Sequence, residues 1–336
     1  MASRFPSLTG RKVQGMLLAL LAGAVLCLPT AAPAMAAQQQ KPQASGPCGT
    51  EHNAKPHYKH VIWLFMENQP YDDIIGGADS PYVNQLADEC GLATNYHNIT
   101  HPSAPNYLAV TSGQLGGADD CTPSQCPQNT DNIFAQITRA HKTWTTFAEG
   151  MSGGNCQQGP LDSGWAPPYD VNHNPPVYYP SLAADCQKYD VPMGDLTSGA
   201  FADALKNGLP DFSFVAPDIC HDTHSCPISV GDQWLQQTVA AITNSDDYRD
   251  GSTALFLTWD EGEHGNTSDC AYNTTDVGCH VATIVVSPST RPGTESDLLF
   301  NHYSLLKTTE ELLNLHGRLG HAADPQVLSM KSAFRL

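Results

Sequence analysis

The chain has 336 residues, 40% of them hydrophobic, with 16 Lys and Arg against 34 Asp and Glu, a formal charge of −18. So acidic a surface excludes nucleic acid as a partner, because holding a polyanion takes a surplus of Lys and Arg. Any attraction for an anionic substrate must then be local, from a cation and from histidines.

The N-terminus reads as an export signal. Arg4, Arg11 and Lys12 form a basic region, Met16 to Leu28 is apolar, and Ala34-Met35-Ala36 fits a cleavage site. The apolar run is shorter than the ~20 residues that cross a bilayer, so a secreted protein without a stable membrane anchor is expected. Residues 1–36 are assigned to the signal and 37–46 to a disordered polar lead-in. Residues 47–336 are expected to form one domain, since no repeat or linker divides them. Of 11 cysteines, Cys27 leaves with the signal. The ten that remain suit disulfides in an oxidising compartment. Cys121 with Cys126, Cys220 with Cys226 and Cys270 with Cys279 are close in sequence. For the other four we expect Cys48 with Cys90 and Cys156 with Cys186, although the sequence leaves their connectivity open.

The first predicted element is a buried strand over the apolar run His60 to Met66. A helix follows from Ser80 to Cys90, and another from Tyr107 to Ser112 with Pro105 near its first turn. Thr143 to Ala148 and Asp211 to Val215 read as strands, Leu235 to Ile242 as a helix. Thr253 to Trp259 and His280 to Val286 read as strands, and His302 to Leu315 as a helix. Strands alternating with helices predict an α/β layered fold.

Two of these strands run into acids. Glu67-Asn68 follows the first and Asp260-Glu261 follows the run TALFLTW. Open α/β sheets bind ligands beyond the carboxyl ends of their strands, and hard cations prefer carboxylate and amide oxygens. One such acid alone reads as a cap of a turn; two together allow a shared cation. Ser103, between Pro102 and Pro105, is either a helix cap or an exposed nucleophile. No G-x-S-x-G elbow is present. His173, His221, His224, His280 and His302 gather at element ends, where imidazoles can bind phosphate oxygens or protonate a leaving alcohol. His221 and His224 could instead hold zinc, but lack a third ligand.

Taken in order, HVIWLFMENQPYDDIIG, HPSAPNYLAVTSG, TWTTFAEGM, HNPPVYY, PDFSFVAPDICHDTHSC, GDQWL, LTWDEGE and HYSLLKTTEELL span nearly all of the mature chain. In these segments it resembles the bacterial phosphoesterase family of acid phosphatases and non-specific phospholipases C, in the alkaline phosphatase superfamily. Within it, the chain is most similar to small secreted acid phosphatases that act on phosphatidylinositol 3-phosphate. The resemblance implies a mostly parallel central sheet with helices on both faces. It also implies one divalent metal ion, calcium, magnesium or similar, held by Glu67, Asn68, Asp260 and Glu261. Ser103 would be the nucleophile of a phosphoserine intermediate, with His173 and His224 catalytic. Asn106, His173, His224 and His302 would contact a phosphorylated small molecule or phosphoinositide. Asp232 would position a helix or a histidine. The alternatives are a phospholipase C-type phosphodiesterase and a binding protein that has lost catalysis.

Overall fold

The computed structural model describes residues 46–50, 56–117, 119–160, 168–263 and 269–336. The expected signal, and the lead-in up to residue 45, lie outside them. The described residues fall within one compact unit. Among the described residues, no helix is long and apolar enough to cross a membrane.

The strands are β1 His60–Met66, β2 Gly91–Ala93, β3 Tyr96–His97, β4 Trp144–Ala148 and β5 Asp190–Pro192, then β6 Phe212–Ala216, β7 Thr253–Trp259, β8 Thr283–Val286, β9 Thr294–Ser296 and β10 Phe300–Asn301. Eight of them build one sheet in the order β5-β4-β6-β1-β7-β8-β2-β9, and β10 pairs with β3 apart from it. The five strands from β5 to β7 are parallel, while β8 runs antiparallel to both of its neighbours. β1 and β7 occupy the middle, with His60 opposite Thr253 and Met66 opposite Trp259. Every residue of β7 is buried, and all of β1 except His60, which is why both read as unbroken apolar runs.

Side chains alternate across β1 and meet a helix pair on each face. Trp63 donates its indole N–H to Thr309 at 2.9 Å, and Phe65 packs on Tyr107. These contacts place helices Ser103–Ser112 and His302–Leu312 on one face. Met66 points the other way, toward Gly231 of helix Ile228–Thr243, which packs with helix Pro81–Glu89. A Cβ on Gly231 would stand 2.5 Å from the Thr223 methyl and 2.8 Å from the His221 carbonyl. Glycine there lets this helix pass directly under the loop that carries those residues.

Four elements differ from expectation by three residues or more at one end, among them the helix at His302, which stops at Leu312 rather than Leu315. The helix expected at Tyr107 begins at Ser103, because Pro105 falls in its first turn, where the missing N–H costs nothing. The helix expected at Leu235 begins at Ile228. β8 starts at Thr283, since His280 forms only an isolated bridge to His97. All five disulfides join the expected partners.

Candidate active site

Because β1 and β7 end level, the residues that follow them are neighbours. The Asp260 N–H donates to the Met66 carbonyl at 2.9 Å, and the Asn68 N–H donates to Asp260 Oδ1 at 3.2 Å. The loop after β6 closes on the same point. The Glu67 N–H donates to the Asp222 carbonyl at 2.8 Å, and the Thr223 hydroxyl donates to the Glu67 carbonyl at 2.7 Å. Asn68 holds a left-handed backbone, φ 60°, a conformation uncommon outside glycine and found among functional residues.

Glu67 is fully buried and stands at the centre. The Ser103 hydroxyl donates to its Oε2 at 2.9 Å and the Tyr107 hydroxyl to its Oε1 at 2.6 Å. Ser103 and Tyr107 are one turn apart, so both hydroxyls leave the same helix face. His173 bridges two acids: its Nε2 is 3.2 Å from Glu67 Oε1 and its Nδ1 is 3.1 Å from Asp222 Oδ2. The His224 N–H donates to Asp222 Oδ1 at 2.8 Å, and the His224 ring lies 5.9 Å from that of His173. Glu261 turns aside to pair with His101 Nδ1. Asn68 thus meets Asp260 through its backbone, Glu67 faces Ser103, Tyr107 and His173, and Glu261 stands at the edge of the cluster.

Burial raises the carboxyl of Glu67 well above its usual range, and the charge of Asp260 raises it further. Asp260 is raised by burial and then by Glu261, and burial pushes Glu261 itself to about 9. Burial opposes a charge on His173, but Glu67, Asp222 and Asp170 outweigh it and hold the imidazole well above its usual value. Among the described residues, no Lys or Arg pairs with any of these acids. With all of these carboxyls ionised the cluster would carry more negative charge than one imidazolium balances, which is why they resist ionising without a further cation. Asn68 Oδ1 and Asp260 Oδ2 are buried without a hydrogen-bond partner. Unpaired oxygens in so acidic a pocket fit a hard, oxygen-preferring cation.

Two expected substrate contacts have other tasks in this structure. Asn106 Oδ1 accepts from the N–H groups of Ile99 and Thr100, and its Nδ2 donates to the carbonyls of Thr100 and Pro102. Its hydrogen-bonding capacity is used in holding the loop that carries Ser103. His302 is fully buried. Its Nε2 donates to the Asp260 carbonyl at 2.7 Å, Nδ1 meets the Tyr96 hydroxyl at 3.1 Å, and burial lowers its pKa to about 4. It supports the backbone of Asp260. His221 and His224 do not converge as a zinc pair. His221 faces Glu149 at 2.9 Å and stacks on Trp234, while His224 faces His173. Tyr107, Asp222, His101 and Asp120 were not assigned from sequence. Only Tyr107 carried a signal, its position four residues after Ser103.

A sequence model of the phosphoesterase family matches residues 77–316, and the chain belongs to that family. It is a phosphoric ester hydrolase. The matched segment holds Ser103, Asp260 and the histidines, with Glu67 just ahead of it. The chain is 28% identical to the phosphatidylinositol-3-phosphatase of Mycobacterium tuberculosis, covering 80% of this chain and 81% of that one. It is 26% identical to a probable acid phosphatase of Kluyveromyces lactis, covering 81% of this chain but only 62% of the yeast protein. Among solved structures it is similar to a protein of the alkaline phosphatase superfamily from Vibrio parahaemolyticus, with a TM-score of 0.54, 12% identity, and 81% and 71% of the two chains covered. That likeness agrees with the layered, mostly parallel sheet.

Proposed function

We propose that this protein is an exported, metal-dependent phosphomonoesterase that works through a phosphoserine at Ser103. One observation carries the reading. Ser103 opens a buried helix and its hydroxyl donates a hydrogen bond to Glu67, inside a cluster of acids with unpaired oxygens. Glu67, Asn68 and Asp260 would hold one divalent cation, with Glu261 beside them. When bound, the cation would neutralise the acids and withdraw charge from the phosphoryl oxygens.

The protein's own groups supply the rest. Ser103 Oγ attacks phosphorus as its proton passes toward Glu67, and the bond to the alcohol breaks. His173, kept protonated by Glu67 and Asp222, would donate to a phosphoryl oxygen or to the departing alkoxide by giving up its contact with one of these two acids. His224 lines the partly exposed side of the same pocket. Water then hydrolyses the phosphoserine and frees Ser103. Stabilisation of charge on the phosphoryl oxygens is the main source of rate in such transfers.

The substrate class is a phosphorylated small molecule or a phosphoinositide headgroup, consistent with the phosphatases among the relatives. Export is supported by the N-terminal pattern and the five disulfides. The test is Ser103→Ala against 4-nitrophenyl phosphate. Turnover should fall by about three orders of magnitude or more, the scale on which removal of a catalytic nucleophile acts. A variant with near wild-type turnover would remove Ser103 from the role.

A further inference from the structure

The first-turn N–H groups of a helix have no partner within it and attract anions. In helix Ser103–Ser112 the amide just after the nucleophile belongs to Ala104, and the next residue, Pro105, has none. Ala104 is thus the N-terminal donor adjacent to Ser103, well placed for an oxygen of a phosphoryl group in transfer. In this structure it is occupied. Asp120 Oδ1, from the segment leading into the Cys121–Cys126 disulfide, accepts from the Ala104 N–H at 2.9 Å. The charge of Asp120 is near enough to be felt by His173 and Glu261. A carboxyl group that partial burial holds above its usual pKa therefore rests beside the nucleophile, on a donor suited to a phosphate oxygen.

We propose that Asp120 is a specificity-determining residue that competes with the substrate's phosphoryl group for the Ala104 amide and so sets the affinity for phosphate. The inference rests on the assignment of Ser103 as the nucleophile. An anion entering the pocket must displace Asp120 from the amide and bear its charge nearby. The enzyme would thereby release inorganic phosphate readily, at the cost of weaker substrate binding. Asp120 touches no bond that forms or breaks, so its effect belongs in KM and in product inhibition.

The experiment compares wild type, Asp120→Ala and Asp120→Asn with 4-nitrophenyl phosphate as substrate and inorganic phosphate as inhibitor, at one pH and ionic strength. The expected result for Asp120→Ala is a fall of about fivefold in both KM and the phosphate inhibition constant, the size expected for removing one nearby charge from a partly solvated site. Asp120→Asn keeps an oxygen for the amide but loses the charge, and should fall between the two. Calorimetric binding of inorganic phosphate to Ser103→Ala, with and without Asp120→Ala, reads the same effect without turnover. If KM, inhibition constant and phosphate affinity stay unchanged or weaken in both Asp120 variants, Asp120 is only a helix cap and the inference is overturned. Failure of the underlying phosphatase reading would show separately, as a wild-type enzyme that releases no phosphate.

Discussion

The carboxyl edge of the sheet and the rim of loops around it fix the residues of the candidate site by different means. Glu67 and Asp260 follow strands that pair residue for residue over their whole length, so the hydrogen-bond ladder sets their spacing. The rim has no such ladder. Each of three short disulfides instead clasps a segment at the site: Cys220–Cys226 brackets Asp222 and His224, Cys121–Cys126 follows Asp120, and Cys270 lies 3.5 Å from His101 Nε2. The two longer disulfides, Cys48–Cys90 and Cys156–Cys186, lie buried and tie separate segments together. Where backbone pairing is available the fold uses it, and where loops must present a side chain it uses covalent staples.

The largest effect should come from the sheet edge. Asp260→Asn keeps the shape of the side chain but removes a charge from the cluster. Its turnover should fall about a hundredfold or more, and metal content after dialysis should fall with it. Unchanged content by elemental analysis would take Asp260 out of the ligand set. Next come the staples. Replacing both Cys220 and Cys226 with Ser frees a loop of six residues and should cost about 2 kcal/mol in chain entropy. Turnover should drop about tenfold, because Asp222 loses its fixed place against His173. Replacing both Cys48 and Cys90 frees a separation of 42 residues and should cost more stability, about 4 kcal/mol, while turnover at 25 °C stays near wild type. Were the Cys48 variant to lose turnover and the Cys220 variant to keep it, the division between rim and periphery would be wrong.

The same division explains what could be read from sequence. β1 and β7 were expected at their observed boundaries, because a strand buried on both faces is a continuous apolar run between polar breaks. The acids after them were legible for the same reason. β2, β3, β5, β9 and β10 are two or three residues long, too short for any period to emerge. At the site, Asp222 and His101 draw their roles from partners 49 to 160 residues away, which no local pattern encodes. Asn106 and His302 were recognisable as part of a motif. Their work there, holding the Ser103 loop and the Asp260 backbone, depends on neighbours that only the fold supplies.

Asp232 gives the smallest expected effect and the sharpest separation of stability from catalysis. Helix Pro81–Glu89 lacks a side-chain cap of its own, since the Ser80 hydroxyl donates to the Ile74 carbonyl at 2.6 Å. Its first-turn donors are met from outside. Asp232, on helix Ile228–Thr243, accepts from the Tyr82 and Val83 N–H groups at 3.0 and 2.9 Å. This is the helix-positioning task expected of it, and it joins the two helices that lie on the Met66 face of the sheet. Asp232→Ala leaves two buried or half-buried amides unpaired and should cost about 1–2 kcal/mol, as the loss of a capping side chain does. The melting temperature should fall by a few degrees with kcat and KM unchanged. Asp232→Asn keeps an acceptor and should recover part of that loss. A fall in kcat with no change in melting temperature would instead tie Asp232 to the pocket across the Gly231–Thr223 contact, and that helix would then belong to the site as well as to the frame.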